Sequence, residues 1–174
     1  MRRDVSTEAE SHPKRKAEFI EPMECALVPT LPEGPDWTFQ VKFDGYRAIG
    51  VRTSSETVLY SRNHKNFNKR FPQIVEALRS LPADTIIDGE VVTLDESGRP
   101  DFHRLQHFTA EASRIRYFVF DLIILRGRDL TSLAVERTTG AYEDAQAALA
   151  AYSPLRAVPH FRRRYASCPP STAT

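Results

Sequence analysis

The sequence predicts an α+β domain in which mainly antiparallel sheets are flanked by helices. Segments rich in β-forming residues follow one another in adjacent pairs, whereas a parallel α/β fold would alternate each strand with a helix. Helical signals lie between or after these pairs. The chain of 174 residues is 41% hydrophobic and 27% charged, which is sufficient for one core and typical of a globular protein.

The predicted strands are short segments enriched in β-branched and aromatic residues. In chain order they are Trp37–Lys42, Tyr46–Arg52, Thr57–Ser61, Thr85–Leu94 and Arg116–Leu125. The polar turn Ser54–Glu56 connects the second strand to the third, and the turn sequence DESGRP follows the fourth. Because the strands occur in adjacent pairs, we expect antiparallel pairing.

The helical signals predict three helices. The first, Asn68–Leu81, carries apolar residues at helical spacing, namely Phe71, Ile74, Ala77 and Leu78. The second, Asp101–Phe108, begins with an N-cap aspartate. The third, Thr131–Ala151, is rich in alanine, a strong helix former. Before the first strand, the proline-punctuated segment Phe19–Asp36 is predicted to be a loop.

The chain is expected to consist of one domain between two unstructured ends. Residues 1–18 are charged throughout and lack the apolar stretch of a secretory signal, so we expect a disordered lead. Residues 19–151 form the domain and residues 152–174 an unstructured tail. No apolar run approaches the roughly 20 residues of a membrane-spanning helix. Cys25 and Cys168 lack metal-ligand spacing, which favours a reducing, cytoplasmic setting.

The stretch VKFDGYRAIG places a lysine between apolar residues and just before Asp-Gly. If it is extended, the two-residue period of a strand places Gln40, Lys42 and Asp44 on one face. Val41 and Phe43 then face the core. A lysine anchored in this way can shift its pKa and act as a nucleophile. The alternative is a surface lysine on a half-exposed hairpin.

Other segments carry further candidate residues. Arg62 ends a strand and begins a basic run, and with a net charge of only +1 any phosphate binding requires such a local patch. Asp88 and Glu90 share one face of an apolar strand, where carboxylates are costly unless they bind a cation or a hydroxyl. Phe120 could stack on a base, and strand alternation places it opposite to Asp121. The alternative for the basic run is a solvated loop. For Asp88 and Glu90 it is a strand end that reaches water, and for Phe120 it is an ordinary core position.

Together and in this order, these motifs resemble those of the ATP-dependent DNA ligases, within the covalent nucleotidyltransferase superfamily. The likeness is greatest to the bacterial ligases of end-joining repair. It extends from Phe19 to Arg137 and includes the motif segments Phe19–Met23, Lys42–Arg47, Ser61–Asn63, Asp88–Glu90 and Phe120–Leu122. The resemblance implies an ATP-grasp-like nucleotidyltransferase (adenylation) domain. It also implies a ligase that uses ATP with Mg²⁺ or Mn²⁺ to seal nicked double-stranded DNA in repair and recombination.

The resemblance implies roles for individual residues. Lys42 matches the lysine that attacks the α-phosphorus of ATP and then carries AMP as a phosphoramidate. The residues that match nucleotide contacts are Gln40, Val41, Arg47, Arg62, Glu90 and Phe120. Among them, Glu90 matches the acid that binds the ribose hydroxyl or the metal, and Phe120 matches the ring that stacks on adenine. Asp44 and Arg62 match residues at the DNA nick.

Two positions depart locally from the family pattern. Gln40 stands where glutamate is usual, two residues before the lysine. His64 stands where glycine often follows Ser-Arg-Asn. If the loop requires a positive φ at this position, histidine tolerates it better than a β-branched residue does.

The later motifs of the family are expected to be missing. These are an E-G-x-x-x-K segment with a metal-binding glutamate, a strand bearing triphosphate-binding lysines, and an OB-fold domain. The likeness decays after Glu136, and the tail FRRRYASCPPSTAT has the composition of a GC-rich gene read out of frame, so we expect a truncated or frameshifted ligase.

Alternatives to an active ligase are an inactive remnant, a nucleic-acid-binding module, and an RNA ligase or capping-type nucleotidyltransferase. Other end-joining repair proteins are candidate partners, and no membrane partner is expected. His103 and His107 have a spacing that can bind zinc, but without a third ligand the surface of a packing helix is favoured.

Overall fold

The computed structural model describes residues 12–24, 26–30, 42–107 and 114–132, and the backbone of Leu155–Ala157. In this part of the chain, six strands form one sheet, and two short helices pack on it. The strands are β1 (Tyr46–Arg52), β2 (Thr57–Ser61), β3 (Thr85–Thr93), β4 (Ile115–Leu125), β5 (Arg128–Asp129) and β6 (Leu155–Ala157). The helices are α1 (Pro72–Leu78) and α2 (Phe102–Gln106).

The strand order confirms the predicted α+β class with mainly antiparallel pairing. The strands lie in the order β2-β1-β3-β4-β5, and β6 pairs with β4. Every pair is antiparallel except that between β4 and β6. Within the described residues, no helix is long and apolar enough to cross a membrane.

The bounds of the strands agree closely with the predicted ones because their signals are local. Those of β1 and β2 are as predicted, and those of β3 and β4 each differ by one residue at one end. The two-residue strand β5 was not predicted. Of the predicted strand Trp37–Lys42 only Lys42 is described, and it lies outside any strand. The predicted helix Thr131–Ala151 lies outside the described residues apart from Thr131 and Ser132, which form a turn.

Helix α1 is shorter than the predicted helix Asn68–Leu81 because Asn68 bonds to the neighbouring strand. Its Oδ1 accepts the backbone N–H of Leu59 at 2.8 Å, and its Nδ2 donates to the Thr57 carbonyl at 3.0 Å. These bonds satisfy the outer edge of β2 and draw Asn68 away from a helical position. The helix begins instead at Pro72, which has no N–H to lose there.

The sheet buries apolar side chains on both faces. One face packs against the two helices, and its core includes Ala48, Leu59, Phe71, Ile74, Leu78, Val91, Leu105, Tyr117 and Val119. The predicted N-cap of α2 is confirmed, since Asp101 Oδ1 accepts the Arg104 backbone N–H at 3.0 Å. The opposite face packs against the N-terminal segment, and its core includes Ile49, Val51, Ile86, Ile123, Ile124 and Ala17. Arg47, Asp88 and Glu90 lie on this second face, since Asp88 pairs with Ile49 and Glu90 pairs with Arg47.

The N-terminal segment crosses the second face from the edge at β5 to the edge at β2. At the β5 edge, Arg15 Nη1 lies 2.9 Å from Asp129 Oδ2. Near the β2 edge, Phe19 stacks on His64 with ring centroids 4.0 Å apart. Residues 12–18 therefore differ from the expected disordered lead, because contacts with distant parts of the chain hold them against the sheet.

The expected unstructured tail also contains a paired element. Strand β6 lies within residues 152–174 and pairs in parallel with the middle of β4. Three residues are too few to show strand periodicity in a sequence. The strand forms because its backbone pairs with β4. The other residues of the expected tail lie outside the described part of the chain.

Candidate functional site

The candidate residues meet where β1, β3 and β4 lie side by side. The register pairs Arg47 with Glu90, and Glu90 with Phe118. Two residues away along β3, Asp88 pairs with Asp121. Side chains of paired residues project from the same face of a sheet. Residues from three separate sequence motifs therefore form one cluster.

A β-bulge in β4 brings both Phe120 and Asp121 to this cluster. Asp88 pairs with Asp121, but the next residue of β3 pairs with Val119, so that Phe120 has no partner on β3. An extra residue of this kind interrupts the alternation of a strand. The prediction that Phe120 and Asp121 lie on opposite sides is therefore wrong. The Arg47 guanidinium lies over the Phe120 ring, and its charge lowers the pKa of Asp121 against the effect of burial.

Arg47 and Asp88 form the best-defined ion pair of the site. Arg47 Nε and Nη2 donate to the two carboxylate oxygens of Asp88 at 3.2 Å and 2.7 Å. Arg47 Nη1 also donates to the Met23 carbonyl at 2.8 Å, and the guanidinium carbon lies 5.4 Å from the centre of the Phe120 ring. Burial raises the pKa of Asp88, and Arg47 opposes this rise. A buried carboxylate in this strand was expected to bind a cation, and for Asp88 that cation is the Arg47 guanidinium.

Glu90 lies beside this pair, and the described residues give it no ion pair of its own. Burial raises its pKa from 4.5 to about 7. The charges of Arg47 and Lys42 oppose this rise, whereas those of Asp88 and Asp44 add to it. Glu90 is therefore close enough to Lys42 and Asp44 to respond to both, and its carboxyl exchanges a proton near neutral pH.

Lys42 and Asp44 are exposed, as a site for a large ligand requires. Between them, Phe43 is half-buried and stacks on Phe118 with ring centroids 4.2 Å apart and an angle of 14° between the rings. The predicted division between outward polar and inward apolar residues holds for these three positions. It does not depend on a strand, because residues 42–44 belong to none.

Arg62 is exposed directly after β2, and its backbone N–H donates to the Arg47 carbonyl at 3.2 Å. The arginines of two motifs are therefore neighbours. The loop that follows contains His64, whose φ of 60° confirms the positive φ considered for this position. Stacking on Phe19 and an edge contact with Tyr60 hold the His64 ring in place.

Some predicted residues are not brought into the cluster. Gln40 and Val41 lie outside the described residues, so their nucleotide contacts stay predictions. His103 and His107 are exposed on α2 and just after it, with ring centroids 4.7 Å apart. In the part of the chain that the structure describes, no group of three side chains is arranged to hold a metal ion.

Three contributors to the site were not predicted as site residues, although Met23 and Asp121 lie within the motif segments Phe19–Met23 and Phe120–Leu122. Phe118 supports Phe43, Asp121 lies beside Asp88, and the Met23 carbonyl accepts a hydrogen bond from Arg47. The alternation of β4 could have identified Phe118, since it places that residue on the side of Phe120. Neither the bulge nor the approach of a carbonyl distant in sequence has a signal that the sequence alone displays.

The cluster combines groups that suit a nucleotide. An aromatic ring such as Phe120 can stack on a base. The neighbouring arginines can bind phosphate oxygens through charge-assisted hydrogen bonds. The Glu90 carboxyl can accept a hydroxyl proton or bind a cation, and the exposed amine of Lys42 can act as a nucleophile once it is neutral.

Comparisons with known proteins agree with this interpretation. The family model for the ATP dependent DNA ligase domain matches residues 17–144. The multifunctional non-homologous end joining protein LigD of Pseudomonas aeruginosa is 36% identical over 129 residues, covering 72% of this chain and 15% of that protein. DNA ligase C of Mycobacterium tuberculosis is 33% identical over 137 residues, covering 72% of this chain and 37% of that protein.

Two solved structures share the fold. The ligase domain of M. tuberculosis LigD matches with a TM-score of 0.61 and 29% identity, covering 74% of this chain and 42% of that one. A mycobacterial DNA ligase D in complex with ATP and MES matches with a TM-score of 0.59 and 27% identity, covering 74% and 41%. The chain thus spans between 15% and 42% of the length of these four proteins.

Proposed function

The chain belongs to the ATP-dependent DNA ligase family, and we propose that it performs the nucleotide-transfer step of this family with Lys42 as the nucleophile. The observation that carries the proposal is the exposed Lys42 amine beside Glu90, whose pKa is raised to about 7, at a cluster that also contains Arg47 and Phe120. A perturbed carboxyl beside a potential nucleophile is typical of a reactive site.

In the proposed step, the neutral Lys42 amine attacks the α-phosphorus of ATP. A nitrogen–phosphorus bond forms, the bond from that phosphorus to the bridging oxygen of pyrophosphate breaks, and one amine proton passes to solvent while the other stays on the nitrogen. The products are pyrophosphate and a lysyl-AMP phosphoramidate on Lys42. The step is favoured when neighbouring cations neutralise the phosphate charge, a role that suits Arg47 and Arg62.

The other site residues are assigned to the nucleotide. Phe120 would stack on adenine, Glu90 would bind the ribose hydroxyl or the metal, and the positions of Gln40 and Val41 beside Lys42 match nucleotide contacts of the family. The carboxyl oxygen of Glu90 is a suitable ligand for Mg²⁺ or Mn²⁺, which bind through few carboxylates together with substrate phosphates. Such an ion would neutralise part of the phosphate charge.

The later steps belong to the same proposal. The adenylate would pass to a 5′-phosphate of nicked double-stranded DNA, with the exposed side chains of Asp44 and Arg62 near the nick. The name of the P. aeruginosa relative includes non-homologous end joining, which supports a role in end-joining repair beside other repair proteins. A cytoplasmic location fits this role.

Covalent labelling tests the nucleotide step. The purified chain is incubated with Mg²⁺ and ATP labelled at the α-phosphate, and the label is measured after denaturing electrophoresis. We expect label on wild type and on Lys69→Ala, a matched control that also removes one exposed lysine, but none on Lys42→Ala. Labelling by GTP in preference to ATP would instead indicate a capping-type nucleotidyltransferase.

Absence of label from folded wild type would refute the proposed activity for this chain. Binding to nicked DNA, measured on the same sample by fluorescence anisotropy, would then distinguish a nucleic-acid-binding module from an inactive remnant. The exposed cations Arg62 and Lys65 are the residues on which such binding would depend.

A further inference from the structure

The segment that carries Lys42 is held to the sheet by a side-chain contact. Residues 42–44 form no part of a strand. Phe43 lies flat against Phe118 of β4, with ring centroids 4.2 Å apart and 14° between the ring planes. Such close stacking restricts both the distance and the tilt of the Phe43 ring. Because Lys42 is adjacent in the chain, this contact also restricts the starting point of its side chain.

The second restraint on this segment is a backbone contact. A Cβ atom on Gly45 would lie 2.2 Å from the carbonyl oxygen of Val91, so the chain approaches β3 more closely than any other residue type allows. From Tyr46 onward the chain is part of β1, paired with β3 from Tyr46 and also with β2 from Ala48. The ring stack thus holds the segment to the sheet one residue after Lys42.

Phe118 is itself firmly placed. It lies within the longest described strand, and its backbone is paired with Glu90 on β3 and with β6 on the other side. The same pairing places the stack next to Glu90, whose pKa responds to the charges of Lys42 and Asp44. A ring on a paired strand can therefore fix the direction in which an unpaired segment presents its lysine.

We infer that Phe118 is a positioning residue for Lys42 and acts through the ring of Phe43. The inference rests on the proposed nucleophilic role of Lys42. In-line attack on phosphorus requires a defined approach of the amine, and a displacement of about 1 Å can lower a rate by about 100-fold. Phe118 itself contacts neither ATP nor the reacting atoms in this assignment.

Labelling kinetics test the inference with the full chain. In Phe118→Leu, the maximal rate of labelling by ATP is expected to fall by about 10- to 100-fold. The ATP concentration for half-maximal rate should change little, because the residues assigned to the nucleotide are intact. Phe118→Tyr keeps a ring and should restore most of the rate. Phe102→Leu is the matched control, since it shortens another partly buried aromatic residue that contacts Tyr46 instead.

A double-mutant cycle identifies the route through Phe43. If the stack is the link, Phe43→Leu alone should slow labelling about as much as Phe118→Leu, and the double variant should lose little more than either single variant. Losses that multiply in the double variant would overturn the link. Equal losses in Phe102→Leu would show a general effect on folding and would overturn the positioning role.

An experiment without ATP separates this inference from the proposed function. A lysine-specific protease cleaves after Lys42, and the rate is compared with cleavage after Lys69 in the same sample. Loss of the stack should speed relative cleavage after Lys42 by between about two- and tenfold, the range set by an aromatic pair. Unchanged cleavage would overturn the inference. Faster cleavage without any label on wild type would refute the proposed function alone, and faster cleavage with unchanged labelling would refute the role of Phe118 in the reaction.

Discussion

Removal of the Arg47 charge provides the sharpest test of the site's electrostatics. Asp88 is 3% exposed, and two nitrogens of Arg47 bind its carboxylate. In Arg47→Met, the new side chain keeps much of the aliphatic length and can still contact the Phe120 ring. The carboxyl of Asp88 loses its partner, and the Met23 carbonyl loses one donor. The variant therefore leaves a buried acid without its arginine partner, and this is expected to be the largest part of its cost.

The expected magnitude follows from the burial of the pair. Removing one partner of a buried ion pair destabilises a protein by about 3–5 kcal/mol. Because 24% of the Arg47 side chain is exposed, solvent screening reduces the expected loss at pH 8 to about 2–4 kcal/mol. Burial already raises the pKa of Asp88, and without Arg47 it should rise further. The folded variant then binds a proton that the unfolded chain releases, so its stability improves as the pH falls.

Urea unfolding followed by far-UV circular dichroism at pH 8 and pH 5 measures both effects. The loss in Arg47→Met should be larger at pH 8 than at pH 5. In the double variant with Asp88→Asn, no charge is left unpaired, and about half of the loss at pH 8 should be recovered. A loss below about 1 kcal/mol at pH 8, or an equal loss at both pH values, would refute the reasoning.

Three further predictions concern single positions. Glu90→Gln should raise the free energy of unfolding by about 1–2 kcal/mol at pH 8, after allowance for the partial exposure of the carboxyl. The pKa of Glu90 is about 7 in the folded state instead of 4.5, so wild-type stability falls as the pH rises from 4.5 to 7. The gain in Glu90→Gln should therefore vanish at pH 4, and a gain measured by urea unfolding at pH 4 would contradict the assignment. Gly45→Ala should destabilise by about 1–3 kcal/mol, since its Cβ would lie 2.2 Å from the Val91 carbonyl oxygen; an unchanged thermal midpoint would show that β3 yields there. Asp101→Ala should cost about 1 kcal/mol through loss of the hydrogen bond from the Arg104 N–H, which Asp101→Asn should largely keep in the same thermal assay.

The strands and one helix cap were predictable because their causes are local. The bounds of β1 and β2 follow from β-forming runs around the polar turn Ser54–Glu56. The Asp101 cap requires a residue only three positions away. The start of α1 was not predictable in this way. Asn68 has helical apolar neighbours, yet it bonds to Leu59 and Thr57 of β2, and a bond across nine or more residues leaves no local trace.

The candidate site shows the same division. The motifs identified Lys42, Arg47, Glu90 and Phe120 as functional candidates. The structure brings Arg47, Glu90 and Phe120 together on the sheet, and the Lys42 charge acts on Glu90. Their mutual arrangement depends on the register of three strands and on a bulge in β4. The pairing of Arg47 with Asp88 joins residues separated by 41 positions. No periodic pattern in the sequence predicts a contact between residues so far apart in the chain.

The sequence by itself determined the fold class, most strand bounds, the family and the residue types available for nucleotide chemistry. These properties follow from patterns that each short segment carries alone. Only the tertiary structure decided which carboxylate Arg47 would neutralise, that Asp121 would join the site, and that Phe118 would support the segment bearing Lys42. The physical reason is that burial and charge act through space, and residues distant in the chain become neighbours only when the sheet has formed.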